Sequence, residues 1–300
     1  MTILHRIELA TVRGFLALFR ALPPVTASNL GGALGRTIGP MIPTSKVADA
    51  NLRRVMPELD AAARRKIIRD VWENLARTAA EFPHLADLRE TASGPGYELV
   101  GTKHILELAA RGGPAIGLTG HIGNWEIIPP VADRLGVPLA FFYRAADNKA
   151  VDDVILRLRE KAMGRKVTMF AKGAAGARAS YIHLLQGGFL GMLVDQKLND
   201  GIAVPFFGLP AMTAPTPAVF ARRFHCPILA LHVERLGPAR LRIVFEPPYF
   251  VEPTADKEKD IETATAWMNL TIERWIRARP GEWLWLHRRW PKDTKPKSMA

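Results

Sequence analysis

Leu118-Thr-Gly-His121-Ile-Gly-Asn-Trp-Glu126 is the stretch on which the reading of this chain turns. A run of small and apolar residues, Ala115 to Gly120, leads into it and predicts a buried strand. Pro129 and Pro130 interrupt the segment just beyond it, so the next helix starts near Trp125 or beyond Pro130. His121 then sits at the carboxyl end of a strand, on a turn softened by Gly120 and Gly123, where open α/β sheets place reactive groups. Glu126 lies five residues on, close enough to turn back onto the imidazole. A carboxylate on one ring nitrogen fixes the tautomer and makes the other nitrogen a better proton acceptor. The pair predicts a general base with its orienting acid; a hydrogen-bonded turn histidine beside a surface glutamate has the same spacing.

Outward from this stretch the pattern is one of alternation. Strands are predicted at 97–100, 115–120, 139–143, 167–170, 189–194, 228–233 and 241–245. Helices are predicted at 102–111, 148–163, 174–186, 215–224 and 256–278. This is the signature of an α/β fold, a mixed and mainly parallel sheet flanked by helices. A helical N-terminal extension precedes it: residues 23–95 carry helices, the longest capped by Asp60 and stopped by Pro83. The core is expected over 96–290, with 291–300 a loose tail.

Residues 2–21 repeat Arg6, Arg13 and Arg20 along one helical face and leave Ile3, Leu4, Ile7, Phe15, Leu18 and Phe19 largely elsewhere. No apolar run approaches the ~18 residues of a membrane span, so residues 1–22 are expected to form an amphipathic helix at a membrane interface. Hydrophobic residues make up 48% of the chain, enough for a sizeable core. The net charge of +12 implies an anionic partner. No basic run interleaved with aromatics occurs, so an acidic lipid or carrier protein is expected rather than nucleic acid. Cys226 is the single cysteine, read as core packing, and the eight histidines have no metal-ligand spacing. There is no Gly-x-Ser-x-Gly elbow, no His-Glu-x-x-His and no Walker-type loop, so neither metal nor cofactor is expected.

Gly120-His-Ile-Gly-Asn-Trp-Glu126 resembles the signature of the late acyltransferases of lipid A biosynthesis, in the lysophospholipid-acyltransferase-like superfamily. Further segments match in order: Asn51-Leu52 with Pro57-Glu58, Tyr143-Arg144 with Asn148, Asp195-Gln196, Phe206 to Thr213, and Pro280 to Trp290. The resemblance implies transfer of a fatty acyl group from acyl carrier protein to a hydroxyl of an anionic glycolipid, a lipid A precursor, at the cytoplasmic face of the inner membrane. His121 would be the base and Glu126 its partner, with substrate contacts at Asn124, Arg144, Asp195, Gln196, Arg288 and Arg289. Arg144 suits a phosphate or a developing oxyanion. Asp195 would hold Arg144 or a sugar, or cap the turn after its strand. Backbone N–H groups at 123–125 would serve the oxyanion, and 206–213 would wall the acyl chain. Trp283 and His287 would face one another at i and i+4 if that segment is helical. Within the same family, acylation of a mannosylated phosphatidylinositol from acyl-CoA is the sister activity. A non-catalytic lipid-binding protein of the same fold is the alternative of another class.

Overall fold

The computed structural model describes residues 2–143, 145–171 and 173–291. Four helices open the chain: α1 (Ile3–Ala21), α2 (Pro24–Ile38), α3 (Ser45–Val55) and α4 (Ala61–Glu81). The Thr2 hydroxyl caps α1 and the Asp60 carboxylate caps α4, each accepting from an otherwise orphaned N–H. α2 lies hard against α4 through glycines. A Cβ on Gly31 would fall 2.6 Å from that of Ala80, and one on Gly35 2.4 Å from that of Ala76. The run Gly31-Gly32-Ala33-Leu34-Gly35 is thus a helix-packing surface.

Alternating elements follow: β1 (Gly96–Val100), α5 (Thr102–Arg111), β2 (Ala115–Thr119), α6 (Ile128–Arg134), β3 (Leu139–Tyr143), α7 (Lys149–Met163), β4 (Met169–Ala171), α8 (Ala174–Leu185) and β5 (Phe189–Leu193). After them come β6 (Ile202–Phe206), β7 (Leu209–Thr213), α9 (Thr216–Phe224), β8 (Ile228–Gly237), β9 (Arg240–Phe245) and α10 (Lys257–Ala278). Seven strands form one sheet in the order β1-β9-β8-β2-β5-β3-β4. Only the β8–β9 pairing is antiparallel, so the sheet is mixed and mainly parallel. β2 is buried at every position, as a central parallel strand covered on both faces must be. One face packs a cluster that includes α5 and α6 side chains, and the other a larger cluster with α3, α4, α9 and α10. Cys226 is buried in the larger cluster, where burial raises its thiol to about 11.

Two segments depart from expectation. Residues 206–213 form no irregular wall: β6 and β7 pair as an antiparallel hairpin, turning through Phe207 and Gly208, both at positive φ. The Phe206 and Phe207 rings are buried among Trp283, Trp285 and Trp290 rather than along a substrate slot. The segment after α10 is not helical either. Pro280 and Gly281 open only a 3-10 turn, and the chain continues extended, with Trp283 bridged to Ile122. Trp283 and His287 are therefore not helical neighbours. The loose tail expected over 291–300 lies, beyond Pro291, outside the described residues.

Candidate active site

β2 and β5 are parallel neighbours in register from Ala115↔Phe189 to Thr119↔Leu193. Their carboxyl ends consequently emerge side by side and bring His121 against Asp195, 74 residues later. Asp195 is 2% exposed. Its Oδ1 accepts from His121 Nδ1 at 2.9 Å, and its Oδ2 accepts from the His121 backbone N–H at 2.9 Å and from Trp283 Nε1 at 2.8 Å. Burial alone would push this carboxyl up; the charge of His121 and the three hydrogen bonds outweigh it and hold it at about 2. An ionised carboxylate only accepts, so Nδ1 carries the proton and Nε2 is the basic nitrogen. Gly120 lets Asp195 come this close: a Cβ there would sit 3.3 Å from the Asp195 Cβ and Cγ.

The orienting carboxylate is therefore Asp195, and the expectation for Glu126 is corrected. Both Glu126 oxygens accept from Arg159 of α7, at 3.0 Å from Nε and 2.7 Å from Nη2. The reason is local geometry. Trp125–Ile127 coils into a 3-10 turn, which carries Glu126 toward α7 and away from β5. Burial disfavours the Arg159 cation, but the adjacent Glu126 charge and its hydrogen bonds more than compensate and raise its pKa.

His121, Glu126, Arg159 and Gln196 all line one cavity of about 650 Å³. Its walls are mainly apolar, with Leu139, Phe141, Met163, Leu193 and Leu231 among the lining residues. Gly117, Thr119 and His121 of the β2 arm follow one another along it.

The remaining predicted contacts are distributed otherwise. Asn124 is fully buried and donates to Glu81 of α4 at 2.8 Å, so it anchors the loop instead of meeting substrate. Asp195 is likewise closed off from substrate by its three donors. Arg289 is fully buried as well. Its guanidinium donates to the Met212 carbonyl and to Thr213 Oγ1, and lies 4.9 Å from the Phe206 ring centroid. Burial lowers Arg289 to about 10, so it stays cationic at neutral pH, with the Asp195 charge favouring the cation. Arg288 is exposed. Arg144 lies outside the described residues. The Gly123 N–H, expected to face an oxyanion, donates to the Glu282 carbonyl at 3.1 Å.

The loop itself is clamped from two sides. Asn74 and Thr78 of α4 donate to the Gly123 carbonyl at 3.0 and 3.2 Å. From the closing segment, Leu284 N–H donates to the His121 carbonyl at 3.1 Å. Gly123 is held at φ +60°, and a Cβ there would strike the Val233 carbonyl at 2.3 Å. Asn51 fixes the closing segment in turn, donating to the carbonyls of Trp285 and His287. Sequence reasoning missed Arg159, Glu81 and the bond from Trp283. Arg159 falls within a regular amphipathic helix and carries no motif of its own.

The site is thus a buried carboxylate holding a partly exposed imidazole beside a mainly apolar cavity, at the carboxyl edge of a mainly parallel sheet. Residues 3–292 match the profile of the family described as "Bacterial lipid A biosynthesis acyltransferase". The chain belongs to that family and is an acyltransferase of lipid A biosynthesis. It is similar to the lipid A biosynthesis lauroyltransferase of Escherichia coli (strain K12), 25% identical over 295 residues, which cover 95% of this chain and 91% of the relative. Among solved structures it resembles a 1-acyl-sn-glycerophosphate acyltransferase from Thermotoga maritima, at 11% identity and a TM-score of 0.39, over 93% of this chain and 99% of the other.

Proposed function

We propose that this acyltransferase moves a fatty acyl group from a thioester on acyl carrier protein to a hydroxyl of a lipid A precursor, with His121 Nε2 as the general base. The buried Asp195 carboxylate, which fixes the proton on Nδ1 at the rim of the cavity, is the observation that carries this reading. Nε2 takes the hydroxyl proton as the oxygen attacks the thioester carbon. The tetrahedral intermediate collapses, the C–S bond breaks, and the imidazolium returns the proton to the departing thiolate. Alcohol plus thioester thus give ester plus thiol with no protein nucleophile. Glu126 acts through Arg159: the pair presents a neutralised, hydrogen-bonded wall to the chamber. The formal charge of +12 suits both a phosphorylated acceptor and an acidic carrier.

General-base catalysis contributes about 10²–10⁴-fold, so His121→Ala is expected to lower kcat by that factor with the fold intact. Mass spectrometry of a phosphorylated lipid A precursor, incubated with acyl carrier protein loaded with several chain lengths, reads the reaction directly. Full activity in His121→Ala removes the mechanism. Transfer from acyl-CoA alone replaces the donor, and lipid binding without any transfer favours the non-catalytic reading.

We also propose that the N-terminal helices seat the enzyme on the cytoplasmic face of the inner membrane. Among the described residues no helix is long and apolar enough to cross a membrane. Yet Ile3, Leu4 and Ile7 are 78, 72 and 58% exposed, and Leu34, Ile38 and Met41 are exposed as well. α1 is held to the domain by its polar groups: Arg20 pairs with Asp87, and Asn148 bonds the His5 carbonyl and Glu8. Phe19, which the sequence pattern groups with the outward residues, is instead buried against Ala27 and Ala80, while Ile3, Leu4, Ile7 and Leu18 stay outward. Burying each such side chain is worth about 1.5–3 kcal/mol at most. Replacing Ile3, Leu4 and Ile7 by Asn is expected to weaken binding to anionic vesicles by at least ~10²-fold in a flotation assay. Unchanged flotation would exclude α1 as the attachment.

A further inference from the structure

The described residues enclose a second, smaller void of about 10 Å³, one water's worth of space, walled entirely by apolar residues and glycine. Its position relative to the large cavity is informative. The large cavity is lined by Thr119 and Gly117 of β2, Leu193 and Gly191 of β5, and Phe141 and Leu139 of β3. On β2 the lining residues alternate, while β3 and β5 add Phe142 and Met192, so the cavity runs back from His121 along β2. The small void is lined by Ala115, Phe189, Val137 and Leu229, the next positions back along the same strands and β8. The two spaces share three residues, Gly117, Leu139 and Leu231. A Cβ on Gly117 would meet Leu139 Cδ2 at 3.5 Å and Leu231 Cδ2 at 3.7 Å, so these three groups stand together as a thin septum.

We propose that Gly117, Leu139 and Leu231 form the end wall of the acyl slot and set the length of chain transferred. The proposal rests on the reading that the acyl chain extends from His121 into this cavity. The slot lies over glycines because side chains would fill it: a Cβ on Gly191 would fall 2.6 Å from the Phe141 ring. From Gly117 through the end of β2 at Thr119 to His121 the chain advances at most roughly 13 Å. An extended hydrocarbon rises roughly 1.3 Å per carbon, so about ten carbons fit before the septum. A longer chain must displace the leucine tips; a shorter one leaves apolar wall uncovered. Behind the septum lies dry space already in line with the slot.

The two kinds of substitution therefore act in opposite directions. Gly117→Ala thickens the septum, and its new methyl meets neighbours only at ordinary contact distances, so the fold tolerates it. Leu139→Ala and Leu231→Ala open the slot into the void. One methylene in an apolar pocket changes discrimination on the order of tenfold or more. With the full-length protein and a competing mixture of acyl carrier proteins loaded with 8- to 16-carbon chains, Gly117→Ala is expected to shift the product profile to shorter chains and each Leu→Ala to longer ones. Binding of free fatty acids of the same lengths, followed by displacement of a fluorescent probe, gives a readout independent of turnover. Its affinity plateau is expected to move in the same directions. Transfer that persists with profiles and plateaus unmoved overturns the septum. Plateaus that move between the variants while the wild-type protein shows no transfer uphold the septum and overturn the proposed reaction instead.

Discussion

Asp195→Asn is expected to lower kcat by about 10⁴-fold while the protein stays folded, the size of loss seen when an orienting carboxylate becomes an amide. The mechanism is a forced tautomer. At one carboxylate oxygen Asp195 receives two donors, the His121 backbone N–H and the Trp283 indole N–H. An asparagine must turn its carbonyl oxygen to those two donors, because its NH₂ group would clash with both. Its NH₂ then faces His121 Nδ1 and donates to it. The ring proton moves to Nε2, and the nitrogen that should accept the hydroxyl proton already carries one. ¹⁵N chemical shifts of His121 would display the switch, and an Asp195→Asn enzyme with near-normal kcat would remove Asp195 from the mechanism. The same substitution has a pH signature. The folded carboxyl at about 2 lies below its ordinary 3.8, so the stability it contributes is present above that value and disappears as pH falls toward 2. The shift corresponds to about 2 kcal/mol. The stability gap between wild type and Asp195→Asn is therefore expected to narrow from pH 4 downward.

The case of His121 also locates what a sequence can disclose. The strand Ala115–Thr119 was legible because small and apolar residues run unbroken between glycines, and a strand buried on both faces looks like that. The end of β5 at Leu193 was legible for the same reason. Which carboxylate would take the imidazole was not legible. Glu126 was near in the chain and Asp195 was 74 residues away; the pairing of β2 with β5 inverts that order of proximity. Arg159 was hidden similarly, since its partner Glu126 is fixed by the packing of α7 beside the 3-10 turn. The Trp283–Trp290 run carries no local pattern that separates a helix from an extended path. Its burial comes from an extended path that pairs with the His121 loop, a tertiary event without local periodicity. The hairpin at 202–213 was obscured by Pro205 and Pro210, which face one another across it and interrupt the strand pattern.

Glu81→Ala is expected to destabilise the fold by about 3–5 kcal/mol, a Tm drop on the order of 10 °C, and to reduce turnover although the residue does not line the cavity. Glu81 is fully buried at the end of α4. It accepts from Ser28 at 2.6 Å, Asn124 at 2.8 Å and the Ala239 N–H at 3.0 Å, and it pairs with Arg235. Removing the carboxylate strands a guanidinium that is 9% exposed and frees the Asn124 amide, whose loop carries His121. The stability loss measures a charge left unpaired rather than the worth of the ion pair. The double variant Glu81→Leu/Arg235→Met is accordingly expected to regain much of the lost Tm, since no buried charge is left over. It would not regain kcat, because Asn124 would still lack its acceptor and the His121 loop its anchor. A double variant recovering both would make Glu81 a purely structural residue, and a Glu81→Ala protein melting within a degree of wild type would remove the clamp altogether.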